Sequence, residues 1–174
     1  RTALRIDNPI LVGHSDGASI AMIHAGAGHA VRGVAVMAPH VFIEPICLAS
    51  IAAAKKTFET TDLPDRLGRY HRDARKTFYG WADVWTEENF KSWDIREDYL
   101  RNIRCPVLAI QGREDEYGTM AQLDEIARTV GGVQRVGDGV ARVTVPASAR
   151  WSTNAEPSRS AGTTAWSGTA GPAT

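Results

Sequence analysis

The sequence lacks an excess of charge: 20 basic residues face 20 acidic ones, and the formal net charge is zero. That removes any global electrostatic reason to expect nucleic acid or an anionic membrane as a partner. Cysteine is scarce. Cys47 and Cys105 are the only two in 174 residues, too few for a disulfide framework, so a reduced, cytoplasmic setting is the expectation. No apolar run approaches the roughly 20 residues of a membrane span, and no signal-peptide pattern opens the chain. No metal-ligand cluster or phosphate-binding glycine loop is seen, so no metal and no cofactor are expected. Internal repeats are absent. From Ala127 to Thr174 there is no Ile, Leu, Phe, Tyr, Lys, His or Cys. Such a stretch offers too little apolar surface to offset its ordering entropy. Residues 137–174 therefore read as a low-complexity tail, with disorder expected at least from about Pro146 onward.

What is present centres on Asn8-Pro9-Ile10-Leu11-Val12-Gly13-His14-Ser15-Asp16-Gly17-Ala18. An apolar run leads into Gly-His-Ser-Asp-Gly, and a helix-forming run follows at once. This is the strand, sharp turn, helix context of a Gly-x-Ser-x-Gly nucleophile elbow. Gly13 and Gly17 carry no Cβ, which permits strand and helix to approach closely there. The Ser15 hydroxyl is then presented at the top of a sheet. The backbone N–H of Asp16, at the helix start, is placed to donate to a developing oxyanion.

Taken in order, residues 1–7 read as a helix end or loop, and Pro9 to Val12 as a buried strand. Ala18 to Ala27 reads as a buried helix with Ile20, Ile23 and Ala27 on one face, ended by Gly26 and Gly28. Val31 to Met37 is the next strand, completing a βαβ unit. A parallel sheet is normally built from several strands covered on both faces. With the first strand almost at Arg1, the expectation is that earlier strands precede this chain. From Val41 to about Arg104 the pattern is helical, with segments at Ile46 to Phe58 and Leu63 to Phe78. Trp81, Trp85 and Trp93 follow as a large apolar payload, read equally as packing or as a pocket lining, with Trp81 and Trp85 the pocket candidates. Cys105 to Gly112 is a third strand with Pro106 at its start. An acidic loop, Arg113 to Thr119, leaves its C-terminal end, where open α/β sheets bind ligands. Met120 to Val130 is an amphipathic helix with Leu123, Ile126, Ala127 and Val130 on one face.

Acyl transfer by serine needs a base to take its proton and an acid to orient that base; where a Gly-x-Ser-x-Gly elbow carries the serine, the acid and then the histidine typically follow it in the chain. Asp115, three residues after Gly112, is the acid candidate, ahead of Glu114 and Glu116. An ordinary turn or N-cap aspartate is the plainer reading of that position taken alone. The base has no candidate in the expected place. The five histidines are His14, His24, His29, His40 and His71, and none follows Asp115. His14 belongs to the elbow, and His24 and His29 read as surface residues. His40, at a strand's C-terminal end, is a candidate pocket or structural residue and the one alternative base; His14 is also a candidate pocket residue.

Residues 9–136 resemble the central and late parts of bacterial α/β-fold hydrolases. The resemblance rests on Leu11-Val12-Gly13-His14-Ser15-Asp16-Gly17, Ala38-Pro39-His40-Val41-Phe42, Cys105-Pro106-Val107-Leu108-Ala109-Ile110-Gln111-Gly112 and Asp115-Glu116-Tyr117-Gly118-Thr119. It implies an α/β fold with a partial hydrolase core at 1–40 and 105–136 and a helical cap at 41–104. It implies Ser15 as nucleophile and Asp115 as triad acid. Two departures stand out: the early strands with the second oxyanion donor, and the late Gly-His-Ser-Pro loop. A reading-frame change near Val136 would account for the second; a natural, disordered C-terminal tail is the alternative. Read two nucleotides later, Val143 to Pro146 has codons xAC, xGT and xCC, which accommodate His-Ser-Pro.

The expected activity is hydrolysis of an ester-type small molecule through an acyl-enzyme. Carbon–carbon bond hydrolysis on the same scaffold is the alternative within enzymes. Epoxide or haloalkane hydrolysis is disfavoured because those branches carry aspartate where Ser15 stands. The alternative of a different class is an inactive, truncated or frameshifted remnant, or a binding protein without turnover. The sequence does not fix the oligomeric state.

Overall fold

The computed structural model describes residues 6–130 and, by backbone alone, 140–145. Within them lies one parallel sheet of four strands: β1 (Ile10–His14), β2 (Gly33–Met37), β3 (Val107–Gly112) and β4 (Val140–Val145), adjacent in that order. The register sets Leu11 beside Val34, Val34 beside Val107, and Val107 beside Val140. Parallel pairing brings the C-terminal ends of β1, β2 and β3 to one edge of the sheet. The turns leaving those ends carry Ser15, His40 and Asp115.

Helix α1 (Asp16–Gly26) connects β1 to β2. Helices α2 (Pro45–Thr60), α3 (Leu63–Gly68) and α4 (Ala74–Thr86) lie between β2 and β3, and α5 (Ala121–Thr129) follows β3. The main core joins Ala18, Met22 and Ala25 of α1, Val34 and Val36 of β2, Val107 and Ala109 of β3, and Leu123 and Ile126 of α5. The small residues of α1 let its backbone lie close to its neighbours. At Gly26 an added Cβ would stand 2.3 Å from the carbonyl oxygen of Tyr99. Helices α2 and α4 share a second core of Cys47, Ile51, Phe58, Phe78, Ala82 and Trp85. Phe58 and Phe78 stack there with centroids 4.1 Å apart. Local signals set the helix starts: Pro45 opens α2, where its missing N–H costs nothing, and the Asp73 carboxylate caps α4 by accepting from the Lys76 N–H at 2.8 Å.

The structure departs from the sequence reading in several places. Among the described residues β1 is an edge strand, and it is not buried: Ile10 is 60% and Val12 69% exposed. A continuous apolar run does not distinguish a central strand from an edge strand whose outer face is uncovered. On α1, Ile20 is 66% exposed and Ala27 is exposed, while Ile23 is half-buried. The buried stripe runs through Ala18, Ala21, Met22 and Ala25, and Ile20 lies about 200° around the helix from Ala18. Ala27 lies past the end of the helix as its C-cap. On α5, Ala127 likewise faces solvent, beside buried Leu123 and Ile126. Finally, β4 runs inside the stretch assigned to the tail. The tail's composition as a whole is poor in apolar residues, but Val-Ala-Arg-Val-Thr-Val is locally rich in β-branched residues and pairs along β3. The disorder expected from about Pro146, and the frame change expected near Val136, lie outside the described residues, as does most of the reading of residues 1–7.

Candidate active site

Ser15 connects β1 to α1 with φ 52° and ψ −121°. A serine in this left-handed region is strained, by about 1–3 kcal/mol, and holds only where its surroundings over-determine it. The strand ladder supplies one constraint: the Ser15 N–H donates to the Met37 carbonyl at 3.0 Å. The helix supplies another: the Ser15 carbonyl accepts from the N–H of Ala18 at 2.9 Å and of Ser19 at 3.3 Å. The hydroxyl makes no capping hydrogen bond to the helix it precedes. The Asp16 N–H lies in the first turn of α1, where backbone donors have no intrahelical partner.

The two elbow glycines differ. A Cβ on Gly13 would stand 2.2 Å from the Gly17 carbonyl oxygen, whereas a Cβ on Gly17 would meet nothing within 4 Å. The close approach therefore requires glycine at position 13 alone. Gly17 contributes the backbone that crowds Gly13, which corrects the paired role expected of the two.

The β2 end is also sharply turned. Ala38 has φ 46°, and its N–H donates to the Ile110 carbonyl at 2.9 Å. His40 follows, pinned to α1 by the Ser19 hydroxyl, which donates to the His40 carbonyl at 2.7 Å. The residue is 5% exposed, and its ring packs edge-on to Trp85, with centroids 5.1 Å apart. Burial lowers the His40 pKa below its usual 6.5, against the opposing pull of Asp115, Asp16 and Glu44.

Asp115 sits in a tight turn after β3. Its Oδ1 accepts from the N–H of Tyr117 at 2.8 Å and of Gly118 at 3.2 Å. This is the geometry of a turn aspartate, and it also fixes the carboxylate in one orientation. The loop is held further by groups the sequence reading missed. The Gln111 amide donates to the Gly118 carbonyl at 2.8 Å. Glu44, 7% exposed, accepts from the Thr119 N–H at 3.0 Å, the Thr119 hydroxyl at 2.6 Å and the Gln122 amide at 2.6 Å. The Gln122 oxygen accepts in turn from the Val41 N–H at 2.8 Å. Glu44 and Gln122 thus join the His40 turn to the Asp115 loop. The one sequence trace is Gln122, a polar residue beside the apolar stripe of α5.

These turns enclose a cavity of about 310 Å³. Ser15, Asp16, His14, His40 and Asp115 contribute its polar rim, while Cys47, Ile51, Trp81, Trp85 and Tyr117 supply its apolar wall. All of the sequence-derived pocket candidates, His14, His40, Trp81 and Trp85, meet there. His24 and His29 do not; they stack on each other with centroids 4.2 Å apart. Cys47 is the other nucleophile type in the wall, but burial, with Glu44, Asp16 and Asp115, pushes its thiol up to about 11. It stays protonated near neutral pH, which makes it a weak nucleophile. Among the described residues no three His, Cys, Asp or Glu are grouped as a metal ion would need.

No family model matches the chain, and no curated protein matches it either. Solved structures do. An α/β-fold family hydrolase from Bacillus anthracis is similar with a TM-score of 0.55 at 17% identity, over 83% of this chain and 61% of that one. The enol-lactonase from Burkholderia xenovorans gives 0.52 at 20% identity, over 83% and 59%. An α/β-hydrolase enzyme from a deep-sea metagenome library gives 0.52 at 19% identity, again over 83% and 59%. The chain has a partial α/β-hydrolase fold, and it spans about 60% of the length of the structures it matches.

Proposed function

We propose that the cavity is the substrate site of a serine hydrolase acting on small, ester-type substrates, with Ser15 as nucleophile, the Asp16 N–H as an oxyanion donor and Asp115 as the acid. The observation that carries this reading is the strained Ser15 backbone at the tip of β1, its hydroxyl uncapped and set in one cavity with Asp115. In this reading α2 to α4 form a cap whose aromatic residues contact the substrate body. The lactonase of like fold supports an ester-type bond over a carbon–carbon bond.

The absence of any histidine after Asp115 in the sequence sets the expected rate. A serine without its base retains only what binding and oxyanion stabilisation provide. Slow acylation and little or no turnover are therefore expected of this chain. The same observation favours the second reading, a site that binds without turning over. A fluorophosphonate probe separates the two. Labelling of the folded chain that disappears in Ser15→Ala supports a reactive serine; folded chain left unlabelled favours binding alone.

A further inference from the structure

His40 is the cavity group that the chemistry above leaves without a task. Its ring is fixed on several sides. Ser19 holds its carbonyl, Trp85 lies against its edge, and a Cβ on Gly118 would come within 3.3 Å of its Cε1. The two ring nitrogens sit in different environments. Nδ1 is fully enclosed and has no hydrogen-bond partner among the described residues. Nε2 also makes no bond within them, yet it is not one of the enclosed, unpartnered atoms, and the ring lines the cavity. A neutral imidazole carries one proton, on one nitrogen or the other. Orphaned N–H groups are rarer in protein interiors than under-satisfied acceptors, so the proton belongs on Nε2, the nitrogen that is not enclosed without a partner.

We infer that His40 is held as the Nε2–H tautomer and donates that N–H to an uncharged carbonyl oxygen of a ligand in the cavity. Asp115, Asp16 and Glu44 act on the ring as negative charges. They repel a carboxylate acceptor and leave a neutral ester or ketone oxygen as the partner. Trp81, Trp85 and Tyr117 suit an apolar or aromatic body next to that oxygen. The ligand class rests on the serine hydrolase reading; the tautomer does not. It follows that His40 is not the missing base, because its free lone pair lies on the enclosed Nδ1 and Nε2 already carries a proton.

Nitrogen-15 histidine labelling of the full chain, read in two-bond proton–nitrogen spectra at pH 7.5, tests the tautomer directly. The His40 signals are assigned by their loss in His40→Gln or, should that variant not fold, in His40→Asn. The Nε2–H pattern is expected; an Nδ1–H or imidazolium pattern overturns the inference. The ligand half is tested on the Ser15→Ala variant with 4-phenyl-2-butanone, a neutral aryl ketone, by infrared spectroscopy and calorimetry. The bound carbonyl stretch should move to lower frequency, and adding His40→Leu should abolish that shift and weaken binding about tenfold. Absence of ketone binding, or a carbonyl stretch unchanged by His40→Leu, overturns it. Failure of fluorophosphonate labelling at Ser15 would instead count against the hydrolase reading and leave the tautomer result standing.

Discussion

Glu44 and His40 show how much of this site depends on single buried polar groups. Glu44 satisfies two donors of Thr119 and one of Gln122. Glu44→Ala leaves those donors without their charged acceptor, and a loss of about 3 kcal/mol is expected in urea denaturation. Glu44→Gln keeps the volume but sets an amide NH₂ against donors, so it should recover only part of the loss. His40 makes stability depend on pH. Burial lowers its folded pKa below 6.5, so the unfolded chain takes up a proton first as the pH falls. Its contribution is fully present above about 6.5 and is lost as the pH falls through the folded pKa. Denaturation at pH 7.5 and 5.5 should show that loss, and His40→Gln should reduce the difference between the two.

At the scale of elements, backbone contacts set the packing of α1. Gly13 touches the first turn of the helix and Gly26 touches the chain at Tyr99. Gly26→Ala forces α1 away from the segment before β3 and should cost about 1–3 kcal/mol, with Ser15 still in place. Gly13→Ala acts on Ser15 itself, since the strand end must move from the helix start; loss of fluorophosphonate labelling should exceed any loss of stability. Gly17→Ala, with nothing near the added methyl, is the control and should keep both. Gly13 and Gly17 stand in one turn, but only Gly13 faces a close neighbour, and spacing cannot say which Cβ points at one. Helix α4 runs across the end of the Leu63 to Phe78 segment and on through Trp81 and Trp85, whereas helices α1, α2 and α5 are legible in place and type from period and breakers. Their buried faces were less so: Ile20 and Ala27 match an apolar pattern, yet the sheet meets α1 along its alanines.

On the scale of the whole molecule, the free edge and outer face of β1 stand out. Ile10, Val12 and, on α1, Ile20 are each at least 60% exposed, and among the described residues nothing pairs with that edge. Such an edge is a template for strand addition and self-association. Combining Val12→Thr with Ile20→Lys should lower the apparent mass in light scattering at high protein concentration. Stability should change by no more than about 0.5 kcal/mol, because both side chains are already in solvent.

The sequence by itself determined the elbow, the alternation of strands and helices around it, the α/β class and the absence of a histidine after Asp115, because each is written in neighbouring residues or in composition. Only the tertiary structure decided the rest. Among the described residues it set β1 at the edge and added β4 beside β3, since strand neighbours are chosen by register and cover, which no local window contains. It gathered His14, His40, Trp81 and Trp85 around Ser15 and Asp115. It also made Glu44, 75 residues from Thr119 and 78 from Gln122, the clamp between two loops. A hydrogen bond across that separation leaves no periodic trace in the chain; it exists only once parallel pairing has brought the strand ends together.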